Sequence, residues 1–268
     1  MRKGQILSNS GRTAQVLVWD NNRILKLFRE GFTLSNVQYE ERIARTVFEA
    51  GLPVPAVYGI VEVEERYGIV FDRVDGPSMG EEMLNKPREL THLMELFAEL
   101  HSKIHTTTVH GLPSQHQKLA SKIQSTPRLS KKQRETALSA LASLSEGNKL
   151  CHGDYHPFNI LMSSRGPVVI DWVDATEGNP HADVARTLLL IQLAKPDLIR
   201  DIEQRKARRN LYEGNPLDVY FKHYRQFQSL SQEQLDAWRL PIAAARLSEG
   251  LSLKEENRLL SIVKLFTN

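Results

Sequence analysis

The chain has 268 residues, 41% hydrophobic and 25% charged, a composition typical of a soluble globular protein. Its single cysteine excludes an internal disulfide framework. No apolar run approaches the roughly 20 residues that a membrane-spanning helix needs, and the N-terminal residues lack the core of a signal peptide. We therefore expect a cytoplasmic protein without a membrane partner.

The net charge of +3 is mildly basic, and basic residues cluster near 118–134 and 200–209. Nucleic-acid binding would require interleaved aromatic residues or a known recognition module, and neither is present. We therefore interpret these segments as solvated faces and expect no nucleic-acid partner. The role of both segments, like the oligomeric state, is left open by the sequence.

The first third of the chain has the pattern of paired strands. Residues 16–19 and 23–28 flank a turn, and residues 57–64 and 67–74 flank another, which predicts two hairpins. Between them, an apolar stripe at helical period predicts a helix. A capping box at Ser35 is expected to begin this helix and Gly51 to end it.

Helical periodicity dominates the remainder of the chain. Helices are predicted at residues 90–105, 131–144, 181–193, 197–209, 217–228, 232–251 and 254–266, and 149–172 is a strand-rich insert. The pattern predicts an α+β fold with a small antiparallel-sheet lobe carrying one helix, residues 1–74, and a larger mostly helical lobe, residues 75–268. A hinge near 72–77 would separate them, and a nucleotide would bind in the cleft.

The most informative segment is the run from Cys151 to Leu161, followed by a strand that ends in Asp171. Asp154 and Asn159 are separated by four residues, which is the spacing of a kinase catalytic loop. Phosphoryl transfer needs a carboxylate near the acceptor hydroxyl, and an amide and a second carboxylate to hold Mg²⁺. We therefore predict Asp154 as the catalytic carboxylate and Asn159 and Asp171 as metal ligands.

Lys26 lies in a strand that is apolar on both faces, where a lysine requires a paired carboxylate. Glu40 precedes Ile43 and Val47 at helical spacing and so projects from the apolar face of its helix. A Lys26–Glu40 pair would let the ammonium neutralise the phosphates of ATP. Glu41 is one position off this stripe and is the less favoured partner.

Three further positions are candidates on weaker patterns. The loop that includes Ser10 and Gly11 precedes Lys26 and would cover the phosphates, although a plain turn would have the same pattern. His156 follows Asp154 by two residues, where its imidazole could meet the transferred phosphate. A loop-stabilising histidine is the alternative.

Other polar residues near these motifs are interpreted as structural. His152 is expected to bond nearby backbone, and Asp183 to support the catalytic loop from the start of a helix. His101 and His105 are four residues apart, but no third metal ligand is evident, so a solvated or capping role is expected. Cys151 is interpreted as a buried small hydrophobe.

Taken together, these residues resemble the aminoglycoside phosphotransferase/choline kinase-like family of small-molecule kinases. The similarity runs nearly end to end, and its specific part is the His152–Leu161 loop with Ile170-Asp171-Trp172. The resemblance implies a bilobal protein-kinase-like fold, ATP as donor, Mg²⁺, and adenine bound by hinge backbone near Asp72 and Val74. It also implies that Asp154 is the catalytic base. Phe158 departs from the small or polar residue common at that position.

About ten residues join Asp171-Trp172 to the next helix, too few for a peptide-docking activation segment. The expected function is therefore ATP-dependent transfer of the γ-phosphate to a hydroxyl of a small acceptor. The acceptor could be an aminoglycoside, an amino alcohol, a sugar or a similar metabolite. A non-catalytic nucleotide-binding module and a protein Ser/Thr kinase are the alternatives. The sequence does not decide between ATP and GTP.

Overall fold

The computed structural model describes residues 5–8, 11, 13–194 and 215–267 of the chain. The described residues form two compact units. Unit 1 comprises those within 1–78 and 159–173, and unit 2 those within 79–158 and 174–268. The predicted lobe boundary after residue 74 divides the chain differently and stays a prediction.

An antiparallel sheet of five strands forms most of unit 1, in the order β1-β2-β3-β5-β4. The strands are β1 (Ile6–Ser8), β2 (Ala14–Val18), β3 (Arg23–Phe28), β4 (Val57–Val63) and β5 (Arg66–Asp72). Both predicted hairpins are therefore present. Buried leucine and valine side chains such as Leu17, Leu25 and Val70 pack together and hold the strands in register.

One helix, α1 (Leu34–Glu49), follows β3 and buries Val37, Ile43 and Val47. Its predicted start was wrong by two residues. Thr33, not Ser35, is the N-cap, and its capping box is completed by Asn36 instead of Gln38. Gly51 follows the helix with φ of +77°, as expected of a residue that ends a helix.

A second, short hairpin belongs to unit 1 although it lies far along the chain. Strands β7 (Ile160–Ser163) and β8 (Gly166–Val169) pair in antiparallel fashion. Backbone hydrogen bonds join the hairpin to the rest of the unit, from Val169 to Pro53 and from Met162 to Pro77. This arrangement carries Asn159 and Asp171, at the two ends of the hairpin, into the sheet unit.

Unit 2 is mostly helical within the described residues. Its helices are α2 (Met79–Asn85), α3 (Leu90–Thr106), α4 (Gln115–Ser125), α5 (Lys131–Ala142), α6 (Pro180–Leu189), α7 (Pro216–Tyr224), α8 (Gln232–Arg246) and α9 (Leu253–Leu265). Helices α3 and α7 pack together, and α8 contacts α4, α5, α6 and α9. The short strands β6 (Lys149–Cys151) and β9 (Thr176–Gly178) pair beside α3.

The helix predictions for this unit hold with differences in extent and number. The helices predicted at 217–228 and 232–251 end earlier, at Tyr224 and Arg246. Helices α2 and α4 were not predicted, because their apolar stripes are short. The helix predicted at 181–193 ends as α6 at Leu189 and continues as one π-helical turn, Leu190–Ala194. The helix predicted at 197–209 lies outside the described residues. The fold class, α+β with a small sheet unit and a larger helical one, is confirmed.

None of the helices in the described part of the chain is long and apolar enough to cross a membrane.

Candidate active site

Lys26 is the centre of an ion-pair cluster in unit 1. Its Nζ lies 2.6 Å from Glu40 Oε1 and 2.9 Å from Asp171 Oδ1. Burial alone would lower the pKa of Lys26, but the charges of Asp171 and Glu40 outweigh it and raise the pKa above the ordinary lysine value. The ammonium is therefore charged and rigidly held. The Lys26–Glu40 pair predicted from the helical stripe is present.

Asp171 and Asn159 are brought near each other by the β7–β8 hairpin. The Ile170 amide donates to the Asn159 carbonyl at 2.9 Å, which sets the two ends of the hairpin side by side. Asp171 has φ of +64°, a left-handed conformation that aspartate tolerates better than most residues. Its side chain is 42% exposed. A carboxylate and an amide oxygen are oxygen donors of the kind that Mg²⁺ prefers, so this donor set fits the ion.

The two backbone positions predicted to bind adenine differ in whether their amides are already hydrogen-bonded. The Asp72 amide donates to the Ala56 carbonyl at 2.9 Å, and the Asp72 carboxylate accepts from the Tyr58 hydroxyl at 2.7 Å. Val74, in contrast, makes no backbone hydrogen bond within the described residues. Of the two predicted positions, Val74 is therefore the one whose amide can meet a ligand.

The predicted phosphate-covering loop, residues 8–13, is described only at Ser8, Gly11 and Thr13, and Ser10 lies outside the described residues. The Gly11 carbonyl accepts two hydrogen bonds from the Arg29 guanidinium, at 2.9 and 3.2 Å. An added Cβ at Gly11 would lie 2.8 Å from the Ala14 carbonyl oxygen, so a side chain would not fit there without movement. Phosphate contact by this loop stays a prediction.

In unit 2, Asp154 follows β6 and is partly buried. Its carboxylate lies 3.6 Å from His156 Nε2 and 3.7 Å from Arg186 Nη2. Burial would raise the pKa of Asp154, but His156 and the charge of Arg186 outweigh it and lower the pKa to about 2. Asp154 is therefore ionised at neutral pH. His156 Nδ1 is buried and has no hydrogen-bond partner among the described residues.

Arg186 of α6 ties the catalytic loop to α8 and the turn that follows it. Its Nε donates to the Gly153 carbonyl, and its Nη1 lies 2.8 Å from Glu249 Oε1. With Nη2 facing Asp154, one guanidinium contacts both the loop backbone and the loop carboxylate. Because the residue is 7% exposed, these contacts are shielded from water and stronger for it.

The basic residues of α4 are not the solvated face that we expected. Lys118 Nζ lies 2.8 Å from Asp174 Oδ1, and Lys122 Nζ lies 2.9 Å from Glu249 Oε1 and 3.6 Å from Asp174 Oδ1. Both lysines point toward the protein because these two carboxylates lie on other elements of unit 2. Lys131, farther along the same predicted segment, is exposed. The second predicted segment, 200–209, lies outside the described residues.

Asp183 anchors the catalytic loop, as predicted. Its carboxylate accepts from the amide of His152 at 2.7 Å and from that of Gly153 at 2.8 Å. The Asp183 Oδ2 atom, which accepts from the His152 amide, also lies 3.2 Å from Nε2 of both His101 and His105. The expected solvated role of the two histidines was wrong, because both are buried.

Two tyrosines of α7 complete this network. Tyr220 Oη lies 2.8 Å from His101 Nδ1, and Tyr224 Oη lies 2.6 Å from His105 Nδ1. Imidazole rings whose Nε2–H donates to Asp183 and whose Nδ1 accepts from a tyrosine hydroxyl satisfy each of these contacts. His152 plays the predicted architectural role, since its Nδ1 lies 3.1 Å from the Asp154 amide nitrogen.

The buried His101 imidazole predicts acid sensitivity. Burial and His105 lower the pKa of His101 to about 3, so between pH 6.5 and 3 the unfolded chain binds a proton that the folded chain does not. Stability must fall as pH falls. Between pH 7.5 and 5.5, His101 alone should remove about 1.4 kcal/mol from the free energy of unfolding. Asp183, whose pKa is lowered, loses its contribution only at lower pH.

Urea unfolding of the wild type and of His101→Asn at both pH values checks this prediction. Between pH 7.5 and 5.5, the free energy of unfolding of the variant should fall by about 1.4 kcal/mol less than that of the wild type. An equal dependence in the two proteins would show that His101 is not held neutral by the fold.

Gly153 stands where protein kinases have arginine, and the backbone explains why. Its φ is +80°, and an added Cβ would lie 2.4 Å from the Asp174 carbonyl oxygen. Gly153→Ala should therefore lower the free energy of unfolding by about 3 kcal/mol, from left-handed strain and the clash together. Gly111→Ala is the matched control, since Gly111 has φ of +90° and open space around it.

Denaturant unfolding of both glycine variants gives the comparison. Gly111→Ala should lower the free energy of unfolding by only about 1–2 kcal/mol, because it adds left-handed strain without a clash. Equal losses would show that close packing against Asp174 does not restrict position 153.

The sequence itself matches a family model. Residues 5–220 match the model of the phosphotransferase enzyme family. The chain belongs to that family. The prediction of a phosphotransferase is thereby confirmed. No curated protein matches the chain significantly.

Solved structures of phosphotransferases have the same fold. A thermostable mutant of aminoglycoside phosphotransferase APH(4)-Ia, in ternary complex with AMP-PNP and hygromycin B, has a TM-score of 0.67 at 16% identity, over 98% of this chain and 94% of that one. The amicoumacin kinase hAmiN, in complex with AMP-PNP, Ca²⁺ and Ami, has a TM-score of 0.61 at 14% identity, over 98% and 87%. A choline/ethanolamine kinase family protein from Mesorhizobium loti has a TM-score of 0.62 at 14% identity, over 99% and 89%.

Sequence reasoning missed Arg186 and Asp174, and it did not predict that Glu249 pairs with Arg186. Arg186 had a recognisable pattern, because it follows Asp183 by three residues on a mostly apolar helix. At that spacing both side chains lie on the same buried face of the helix. Glu249 had none, because it follows α8 in a turn and meets Arg186 only through tertiary packing.

Proposed function

We propose that this phosphotransferase is an ATP-dependent kinase that transfers the γ-phosphate to a hydroxyl group of a small molecule. The observation that carries the proposal is the Lys26 ammonium held between Glu40 and Asp171, with Asn159 at the other end of the Asp171 hairpin. A lysine ammonium for the phosphates, and a carboxylate and an amide for the metal, are what binding of a Mg²⁺–triphosphate requires.

At the nucleotide end, the Lys26 ammonium neutralises phosphate oxygens, and Glu40 keeps it in place. Asn159 and Asp171 would hold Mg²⁺, which supplies charge neutralisation for the phosphates when bound. Val74 offers its free backbone amide to the adenine ring. Gly11 belongs to the loop that would cover the phosphates.

At the acceptor end, Asp154 receives the proton of the attacking hydroxyl. The acceptor oxygen forms a new bond to the γ-phosphorus while the bond from that phosphorus to the bridging oxygen breaks, and ADP leaves. His156, whose Nε2 lies 3.6 Å from Asp154, is placed for its imidazole to meet a phosphate or acceptor oxygen. Arg186 is a positioning residue, because it holds both Asp154 and the Gly153 carbonyl.

A small acceptor is favoured by the segment after Asp171. Residues 172–179 consist of one 3₁₀ turn, Trp172–Asp174, the short strand β9, and the N-cap of α6 at Asn179. Each part is tied into hydrogen-bonded structure, which leaves no loop for docking a peptide. The complexes of related folds with hygromycin B and with Ami also support a small-molecule acceptor.

The proposal is tested with the purified chain, ATP and Mg²⁺ against aminoglycosides, amino alcohols, sugars and hydroxy acids. ADP release that depends on one acceptor, and that is lost in Asp154→Asn, is the expected result. Acceptor-independent ATP binding without any phosphorylated product across the panel would count against it and favour a nucleotide-binding module.

A further inference from the structure

Glu249 lies in the turn that follows α8, and three cations contact its carboxylate. Glu249 Oε1 lies 2.8 Å from Arg186 Nη1 and 2.9 Å from Lys122 Nζ, and Oε2 lies 3.3 Å from Arg246 Nη1. Burial would raise the pKa of Glu249, but the charges of Arg186 and Lys122 outweigh it and lower the pKa. The carboxylate is therefore ionised at neutral pH.

Two of these cations fix Glu249 from outside the catalytic loop. Lys122 belongs to α4 and Arg246 to α8. The Glu249 amide also donates to the Arg246 carbonyl at 3.1 Å, which holds the turn against the end of α8. The position of the carboxylate is thus set by two helices and does not depend on the loop that carries Asp154.

The nitrogens of the Arg186 guanidinium face three different groups. Nε donates to the Gly153 carbonyl, Nη1 is paired with Glu249, and Nη2 faces Asp154. The distance of 3.7 Å from Nη2 to Asp154 Oδ1 is too long for a hydrogen bond. Arg186 therefore stabilises the charge of Asp154 without donating a hydrogen bond to it.

Competition between carboxylates explains why Arg186 stays at this distance. Burial lowers the pKa of Arg186, and the charges of Glu249, Asp174 and Asp154 raise it, that of Glu249 the most. Without the Glu249 charge, Asp154 would become a stronger competitor for the guanidinium. Arginine and carboxylate groups readily form paired, charge-assisted hydrogen bonds.

A direct pair between Arg186 and Asp154 would harm the proposed reaction. Asp154 has to accept the proton of the acceptor hydroxyl, and hydrogen bonds from a guanidinium would occupy its oxygens. Such bonds also favour the charged form of a carboxylate, which makes it a weaker base. An arginine that is close but not bonded avoids both effects.

We propose that Glu249 is a positioning residue for phosphoryl transfer. It holds the Arg186 guanidinium near Asp154 but out of hydrogen-bond contact with it, so that the carboxylate stays ionised and able to accept the hydroxyl proton. This inference rests on the proposed kinase function, in which Asp154 is the base.

The test is a double-mutant cycle on the full chain, with ATP, Mg²⁺ and the acceptor that the wild type phosphorylates fastest. Glu249→Gln keeps the shape of the side chain and removes its charge, Arg186→Gln removes the guanidinium, and the double variant combines the two changes. Urea unfolding shows which variants are folded. Arg186→Lys replaces Arg186→Gln in the cycle if the latter does not fold.

Glu256→Gln is the matched control. Glu256 is also paired with an arginine of another segment, Arg128, and its side chain is 14% exposed compared with 16% for Glu249. Because this pair does not contact the catalytic loop, the control should have the wild-type kcat.

Glu249→Gln is expected to lower kcat by about 10- to 100-fold, since a displacement of about 1 Å near the reacting groups can have an effect of this size. KM for ATP should change by less than about threefold, because the proposed nucleotide ligands Lys26 and Asp171 belong to unit 1. In the Arg186→Gln background, Glu249→Gln should change kcat by less than about threefold, because the group that it positions is gone.

Two results would overturn the inference while the kinase function stands. One is a wild-type kcat in folded Glu249→Gln, and the other is a loss of kcat of equal size with and without Arg186. A wild-type protein that binds ATP but transfers phosphate to no acceptor would overturn the proposed function, and the inference with it.

Discussion

Asp154→Asn is expected to lower kcat by about 10³-fold or more, because the variant has no carboxylate to receive the hydroxyl proton. The low pKa of Asp154 makes it an ionised acceptor at any pH near neutrality. Asparagine has nearly the same shape and keeps a polar contact for Arg186. Steady-state kinetics with the accepted substrate measure kcat, and calorimetry measures the Kd of ATP, which should change by less than about threefold.

Asp236→Asn is the matched control for this change. Asp236 is an exposed aspartate of the same unit, 3.5 Å from Arg239, and its replacement should leave kcat unchanged. If Asp154→Asn keeps more than about a tenth of the wild-type kcat, Asp154 is not the base of a general-base mechanism.

Asp171→Ala should be comparably damaging for a different reason. The change removes both a proposed metal ligand and the acceptor of the Lys26 ammonium at 2.9 Å. We expect kcat/KM for ATP to fall by about 10³-fold, since metal and lysine charge both act on the phosphates. The concentration of Mg²⁺ needed for half-maximal activity should rise, and kinetics at varied Mg²⁺ and ATP measure both effects.

Asp75→Asn is the control that separates loss of a metal ligand from simple loss of a carboxylate charge. Asp75 belongs to the same unit, is 75% exposed and pairs with Arg73 at 2.8 Å. Its replacement should leave the Mg²⁺ dependence as it is in the wild type. An Asp171→Ala protein with wild-type Mg²⁺ dependence would remove Asp171 from the metal site.

Local chemistry explains which parts of the fold could be predicted. Two apolar runs around the turn at 20–22 were sufficient to predict β2 and β3, because both strands bury apolar side chains in shared clusters. The start of α1 was misplaced because Thr33 and Ser35 are both good N-caps. In the structure, Asn36 completes the capping box with Thr33.

The same limit applies to the candidate site. Glu40 could be predicted because a carboxylate on the apolar face of a helix needs a cation, and Lys26 lies on a neighbouring apolar strand. The Arg186–Glu249 pair joins residues that are 63 positions apart in the chain. No periodicity or motif relates such positions, so Glu249 gained a role only once α6 and α8 were seen to pack.

Helix α4 shows the same dependence on tertiary structure. Its lysines have the spacing of a solvated basic face, and the sequence supports that interpretation on charge alone. Only the approach of Asp174 and Glu249 turns Lys118 and Lys122 inward.

The most direct test of the kinase function is ³¹P NMR of the reaction of the purified chain with ATP, Mg²⁺ and the acceptor that gives the fastest ADP release. The expected result is a new phosphate-monoester resonance, coupled to the acceptor's own protons, that grows as ADP appears and is absent with Asp154→Asn. ADP accompanied only by inorganic phosphate, at the same rate with and without acceptor, would contradict phosphoryl transfer to a small-molecule hydroxyl.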